Sequence, residues 1–148
     1  MQINPARAAK FAVVVIACIF LAVRYVGHEG KETKNGTVYE GKWKYGKFTE
    51  GKATLSDGQI QEGTFGESDS VKGNRTLVKG KLTFPDGTVY EGVFKDGHLT
   101  EGTATFPRSG ITLQGTFSKD GLIDGTAIYE GEVIEFRNGV PRLYELDN

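Results

Sequence analysis

The chain has 148 residues, 25% of them charged, and a formal net charge of −1. Both signs are interspersed, which excludes the basic stripe that nucleic-acid binding needs. The single cysteine excludes an intrachain disulfide framework, and the length allows one membrane segment and one domain.

Residues 1–10 contain Arg7 and Lys10 but no acid, and Phe11 to Val23 is unbroken apolar sequence. That run is shorter than the roughly 20 residues a spanning helix needs. Counting from Ala8 to Val26, with Lys10 and Arg24 snorkelling to the interfaces, nearly reaches the length. Arg24-Tyr25 follows directly and no A-x-A-like cleavage site appears. Residues 1–26 are therefore predicted to be a short tail and an uncleaved transmembrane helix. Two alternatives stay open: signal cleavage, leaving a secreted or periplasmic protein, and lipidation at Cys18 in the Val15-Ile16-Ala17-Cys18 box. Positive residues flank both ends of the segment, so the positive-inside count does not decide orientation. The short acid-free tail favours an inside N terminus, with the rest of the chain outside the cytoplasm. Residues 27–34 read as a linker.

From residue 35 a phrase recurs. Tyr39-Glu40-Gly41-Lys42-Trp43 returns as Gln61-Glu62-Gly63-Thr64-Phe65 and Tyr90-Glu91-Gly92-Val93-Phe94, then degraded as Leu113-Gln114-Gly115-Thr116-Phe117. A second phrase opens at Gly51, Gly80, Gly102 and Gly125, with spacings of 29, 22 and 23 residues. Between the phrases lie Ser56-Asp57-Gly58, Pro85-Asp86-Gly87, Pro107-Arg108-Ser109-Gly110 and Glu130-Gly131. Asp-Gly between alternating runs is a strong hairpin signal, so each unit is predicted to be a β-hairpin. A regular period means that no unit buries its apolar face alone.

The Tyr-Glu-Gly-x-Trp/Phe phrase, with its paired glycines and Asp-Gly turn, resembles the MORN repeat (membrane occupation and recognition nexus). The resemblance covers about residues 35–140. Gln61 and Leu113 stand where Tyr is expected, Gln114 stands for Glu, and only Trp43 is Trp. Family membership implies a long twisted meander and roles in scaffolding and in bringing proteins to membranes, without implying an activity. The fold expectation is all-β: a single-sheet antiparallel meander of stacked hairpins over 35–148, after one N-terminal transmembrane helix.

Side chains alternate along a strand, so Tyr39, Gly41 and Trp43 share a face, as do Tyr90, Gly92 and Phe94. The bare glycine leaves room for a neighbour's ring or for close backbone approach. Tyr39, Trp43, Phe65, Tyr90, Phe94 and Phe117 are the expected stacking or interaction surface, with Ala53, Leu55, Leu82, Phe84, Ala104 and Phe106 as apolar partners. Glu40, Glu62, Glu91 and Glu135 fall on the opposite face, where Lys42, Lys52 and Lys95 balance them. Identical positions in successive repeats distinguish no acid from base, so they are not read as catalytic. Lys42, Lys44, Lys47 and Lys52 form the one local cluster suited to lipid headgroups. No catalytic, metal or cofactor residues are expected. Asp120 to Gly131 lacks the ligand pattern of a calcium loop.

A polar insertion near 66–79 interrupts the period and is where partner specificity is expected. Asn35-Gly36-Thr37 and Asn74-Arg75-Thr76 match a glycosylation sequon. The expected function is a non-catalytic, membrane-tethered scaffold for an unknown protein partner, with self-association through sheet edges. The alternatives are a lipid-headgroup module and an exported polysaccharide-binding protein.

Overall fold

The computed structural model describes residues 27–69 and 75–142, together with Val13. Eleven strands form one antiparallel sheet whose spatial order is the chain order. They are β1 (His28–Lys34), β2 (Thr37–Lys44), β3 (Lys47–Thr54), β4 (Ile60–Glu67), β5 (Arg75–Thr83) and β6 (Val89–Lys95). Then follow β7 (His98–Phe106), β8 (Ile111–Ser118), β9 (Gly121–Tyr129), β10 (Glu132–Arg137) and β11 (Val140–Arg142). The described chain is thus the expected single-sheet meander of hairpins. The expected transmembrane helix falls in residues 1–26, outside the described residues except for Val13. Among the described residues no helix is long and apolar enough to cross a membrane.

Two boundaries differ from the sequence reading. Residues 27–34 are not a linker: β1 pairs along β2 from His28↔Trp43 to Lys34↔Thr37. Glu29, Lys31, Glu32 and Lys34 give that segment no apolar face, so only its pairing reveals it as a strand. The insertion is also narrower than 66–79. Strand β4 runs to Glu67 and β5 starts at Arg75, leaving the extra residues between them.

Five of the connections are two-residue turns with positive φ at both positions: Asn35-Gly36, Tyr45-Gly46, Asp96-Gly97, Glu130-Gly131 and Asn138-Gly139. This is the type I′ turn, whose twist matches that of the strands it joins. At the opposite type of connection an aspartate closes the loop. The backbone N–H of Gln59 donates to Asp57 Oδ1 at 3.0 Å, and that of Thr88 to Asp86 Oδ1 at 2.9 Å.

One row crosses the sheet at constant register: Gly30↔Gly41↔Gly51↔Gly63↔Gly80↔Gly92↔Gly102↔Gly115↔Gly125. The approach is tight at every second interface, within the pairs Gly41–Gly51, Gly63–Gly80, Gly92–Gly102 and Gly115–Gly125. At Gly92, φ is +152°, and an added Cβ would overlap the Glu101 carbonyl and lie 2.8 Å from Gly102 Cα. Only glycine fits there.

Beside each tight pair the register slips by one residue. Lys42 faces Glu50 but Trp43 faces Phe48, so Thr49 is extra. Val78, Thr100 and Ile123 are the extra residues in β5, β7 and β9. Thr49 Oγ1 donates to the Lys42 carbonyl at 3.0 Å and Thr100 Oγ1 to that of Val93 at 3.1 Å. Such bulges bend a strand and raise its twist. Among the described residues this sheet is the only layer, and Phe48 and Phe65 keep only 3% exposure.

Gly92→Ala should cost on the order of 3 kcal/mol in urea unfolding, since it forces both a clash and a strained φ. At the first turn position of Tyr45-Gly46, φ is +53°. There Tyr45→Asn should gain up to about 1 kcal/mol, the relief of left-handed strain less the contacts of the ring, that with Lys44 among them. Thermal unfolding midpoints of the two proteins check this.

Candidate functional site

The register assembles the inward face into two rows. One, a rung from the glycines, is Tyr39↔Ala53↔Gln61↔Leu82↔Tyr90↔Ala104↔Leu113. The other lies across the bulges as facing pairs: Trp43 with Phe48, Phe65 with Leu77, Phe94 with Leu99, and Phe117 with Leu122. Ring centroids lie 5.2 Å apart for Trp43–Phe48, 4.8 Å for Phe48–Phe65 and 5.1 Å for Tyr39–Phe48. Tyr90 meets Phe84 at 5.1 Å and Phe106 at 6.0 Å. These are ordinary edge and tilted ring contacts.

Of the six aromatics read from the sequence, Trp43, Phe65 and Phe94 are buried, while Tyr39, Tyr90 and Phe117 are half-buried. Phe48, Leu77 and Leu99 are as deeply buried and were missed. Their signal is a five-residue spacing to Ala53, Leu82 and Ala104, an odd interval that a period of two hides. Burial thins along the array, and among the described residues none after Ala104 belongs to the buried core.

Over β2 to β5 the face opens into a groove of about 480 Å³. Tyr39, Trp43, Phe48 and Phe65 line its apolar part, Gln61 is polar within it, and Lys34, Lys47 and Arg75 bring positive charge. Among the described residues no carboxylate lines it. Arg75 donates from Nη2 to the Phe65 carbonyl, so the strand after the insertion brings a cation into this groove. The two described residues of the insertion, Ser68 and Asp69, reach the β6–β7 turn. Ser68 Oγ and the Asp69 N–H donate to Asp96 Oδ1 at 2.9 and 3.0 Å, and Lys95 lies 3.7 Å from Asp69. The Trp43 Nε1 donor is buried without a hydrogen-bond partner in the protein, and its ring stacks on His28 at 6.2 Å.

The outer face carries alternating charge. Its central row runs Lys31↔Glu40↔Lys52↔Glu62↔Lys81↔Glu91, then turns neutral as Thr103↔Gln114↔Thr126 before Glu135. The glutamate row expected from the repeats is thus interleaved with lysines. Lys31 reaches Glu40 at 2.7 Å and Lys52 reaches Glu62 at 3.8 Å. In the row beside it Lys42 meets Glu50 at 3.1 Å. Lys47 pairs with Glu67, and Lys44 Nζ lies 5.6 Å from the centre of the Tyr45 ring. Three of the four lysines proposed for lipid contact therefore have a carboxylate partner. Among the described residues no cluster of His, Cys, Asp and Glu could hold a metal ion.

No protein-family model matches the chain, and no curated protein matches it.

Phe48→Ala should cost about 3–5 kcal/mol, the range for emptying a buried aromatic site. Trp43→Phe should cost less than about 1 kcal/mol, because it removes an unpaired indole donor and copies Phe65 and Phe94. Chemical denaturation of both variants checks the contrast.

Three carboxylates are held below their ordinary range: Glu40 by its hydrogen bond to Lys31, Glu67 by that to Lys47, and Asp86 by the Thr88 backbone N–H. A depressed folded value means that the unfolded chain binds more protons below about pH 4.5. The stability these groups add is present above their unfolded values and is lost as pH falls through the folded ones. Salt should shrink the Lys31–Glu40 and Lys47–Glu67 parts and leave the Asp86 part, since the latter rests on a backbone dipole. Acid titrations of stability at low and high salt, with Asp86→Ala as control, test this.

Proposed function

We propose that this chain is a non-catalytic scaffold of MORN type, tethered to a membrane by residues 8–26, whose aromatic groove receives a protein partner. The observation that carries the reading is the groove over β2 to β5, with its apolar lining, the cations of Lys34 and Arg75, and no acid among its described lining residues. Such a surface suits an extended segment with apolar anchors and acidic flanks. The MORN assignment rests on the Tyr-Glu-Gly-x-Trp/Phe phrase, and the tether on the apolar run from Phe11 to Val23. A single pass with the tail inside would put the array outside the cytoplasm.

A lipid-headgroup role has one observation in its favour: Lys44, exposed Tyr45 and Lys47 share a hairpin tip. Cations beside an aromatic ring suit a membrane interface. The carboxylate partners of Lys42, Lys47 and Lys52 weigh against a broader headgroup surface. A polysaccharide role fits less well, because a neutral glycan has no charge to meet Lys34 and Arg75 in the groove.

Gln61→Trp fills the groove without touching the glycine row. Peptides selected by display on the full chain in neutral nanodiscs should bind the variant at least tenfold more weakly, about 1.4 kcal/mol, with thermal unfolding unchanged. Equal binding would place the partner elsewhere. In flotation, the full chain should rise with neutral vesicles; loss of flotation in salt, restricted to anionic vesicles, would favour the headgroup reading.

A further inference from the structure

We infer that the edge of β1 away from β2, which no described strand covers, pairs with β1 of a second copy about a two-fold axis at Gly30, joining two eleven-stranded sheets into one. The inference stands apart from the groove and its partner.

The first ground is Gly30 itself. It belongs to the glycine row, yet its φ is not in the positive region of the other eight, and an added Cβ would meet only its neighbour His28, at 3.5 Å. Among the described residues nothing requires glycine there. Tight approach alternates across the sheet: Gly41 is tight against Gly51, not against Gly30. By that alternation the tight side of Gly30 is its open edge. A glycine from another strand placed there would let the two backbones meet with no side chain between them.

The second ground is charge. Side chains alternate along a strand, so a two-fold axis normal to the sheet must set one residue opposite its own copy. With the axis at Gly30, Glu29 faces Lys31 of the partner subunit and Lys31 faces Glu29 of the partner subunit. His28 then faces Glu32 of the partner subunit. Cross-strand partners lie about 4.5–5.5 Å apart at Cβ, so both charge pairs are within reach. Moving the axis one residue either way sets Glu29 or Lys31 against itself, and like charges directly opposite are destabilising. An axis at Thr33 would also set opposite charges together, Glu32 against Lys34, but it engages only residues 32–34 of β1, whereas the axis at Gly30 engages 28–32.

The third ground is continuity. The central outer row begins Lys31↔Glu40↔Lys52, and the row beside it begins Glu29↔Lys42↔Glu50. The dimer puts a glutamate before Lys31 and a lysine before Glu29, so the alternation of sign passes through both rows unbroken. The other described edge lacks these features. Strand β11 is three residues long and contains Pro141, which blunts pairing, while β1 offers seven residues and no proline.

Sedimentation of the full chain in density-matched detergent tests the inference. The wild type should be a dimer. Gly30→Ala should weaken dimerisation at least tenfold while leaving thermal stability equal or higher. Glu29→Lys and Lys31→Glu should each sediment as monomers, and a mixture of the two should restore a one-to-one dimer, because every facing pair is then opposite in sign. A monomeric wild type overturns the inference. So does a dimer unaffected by either charge variant, which would place the contact elsewhere. If Gly30→Ala fails to fold, the charge mixture still decides.

Discussion

The rest of the structure depends on backbone-to-backbone contact at the paired glycines. Where Gly41 meets Gly51, or Gly92 meets Gly102, two strands approach more closely than any side chain would permit. The contact also fixes register, because a slip of one residue would push a side chain into that space. Each strand from β2 to β9 supplies one such residue, and the rows of aromatic and charged side chains follow from that alignment. The ring contacts from Tyr39 to Phe65 and the charge row from Lys31 to Glu91 express one constraint on opposite faces.

The two faces contribute differently. Exposed ion pairs such as Lys42–Glu50 stabilise by less than about 1 kcal/mol each, whereas a buried ring such as Phe48 contributes several. The alternating outer rows therefore matter more for what they exclude. A two-residue shift of β2 on β3 would set Glu40 against Glu50 or Lys42 against Lys52, so there the rows reinforce the register that the glycines set. The bulges serve the inner face in turn. By inserting Thr49 or Thr100 they return Phe48 and Leu99 to the side occupied by Ala53 and Ala104.

Much of this was legible in the sequence. The hairpins, the Asp-Gly turns and the aromatic row all show in the repeated phrase, because each depends on residues close in the chain. The close approach at the glycines was one of two open readings, and geometry selects it over the insertion of a ring. Strand β1 was hidden, since a run of Glu and Lys carries no apolar alternation. Phe48, Leu77 and Leu99 were hidden because a bulge breaks the period of two. The lysines near residue 47 looked like a cluster along the chain, but their partners Glu50, Glu62 and Glu67 come from cross-strand neighbours. For the groove, the aromatic lining was foreseen, whereas the cationic lining from Lys34 and Arg75 required the fold.

Spatial order equal to chain order has a mechanical consequence. Every substantial contact joins consecutive strands, and no crossover stitches distant ones together. A pull across the strand order therefore loads the hydrogen-bonded ladders in series, each peeling rung by rung without shearing as a block. Tension entering from the C-terminal side meets β10 and β11 first, where the apolar face is thinnest, and the tightly packed hairpins of β2 to β7 give way last. Such a sheet behaves as a graded fuse: it lengthens at one end under load while the groove at the other keeps its shape.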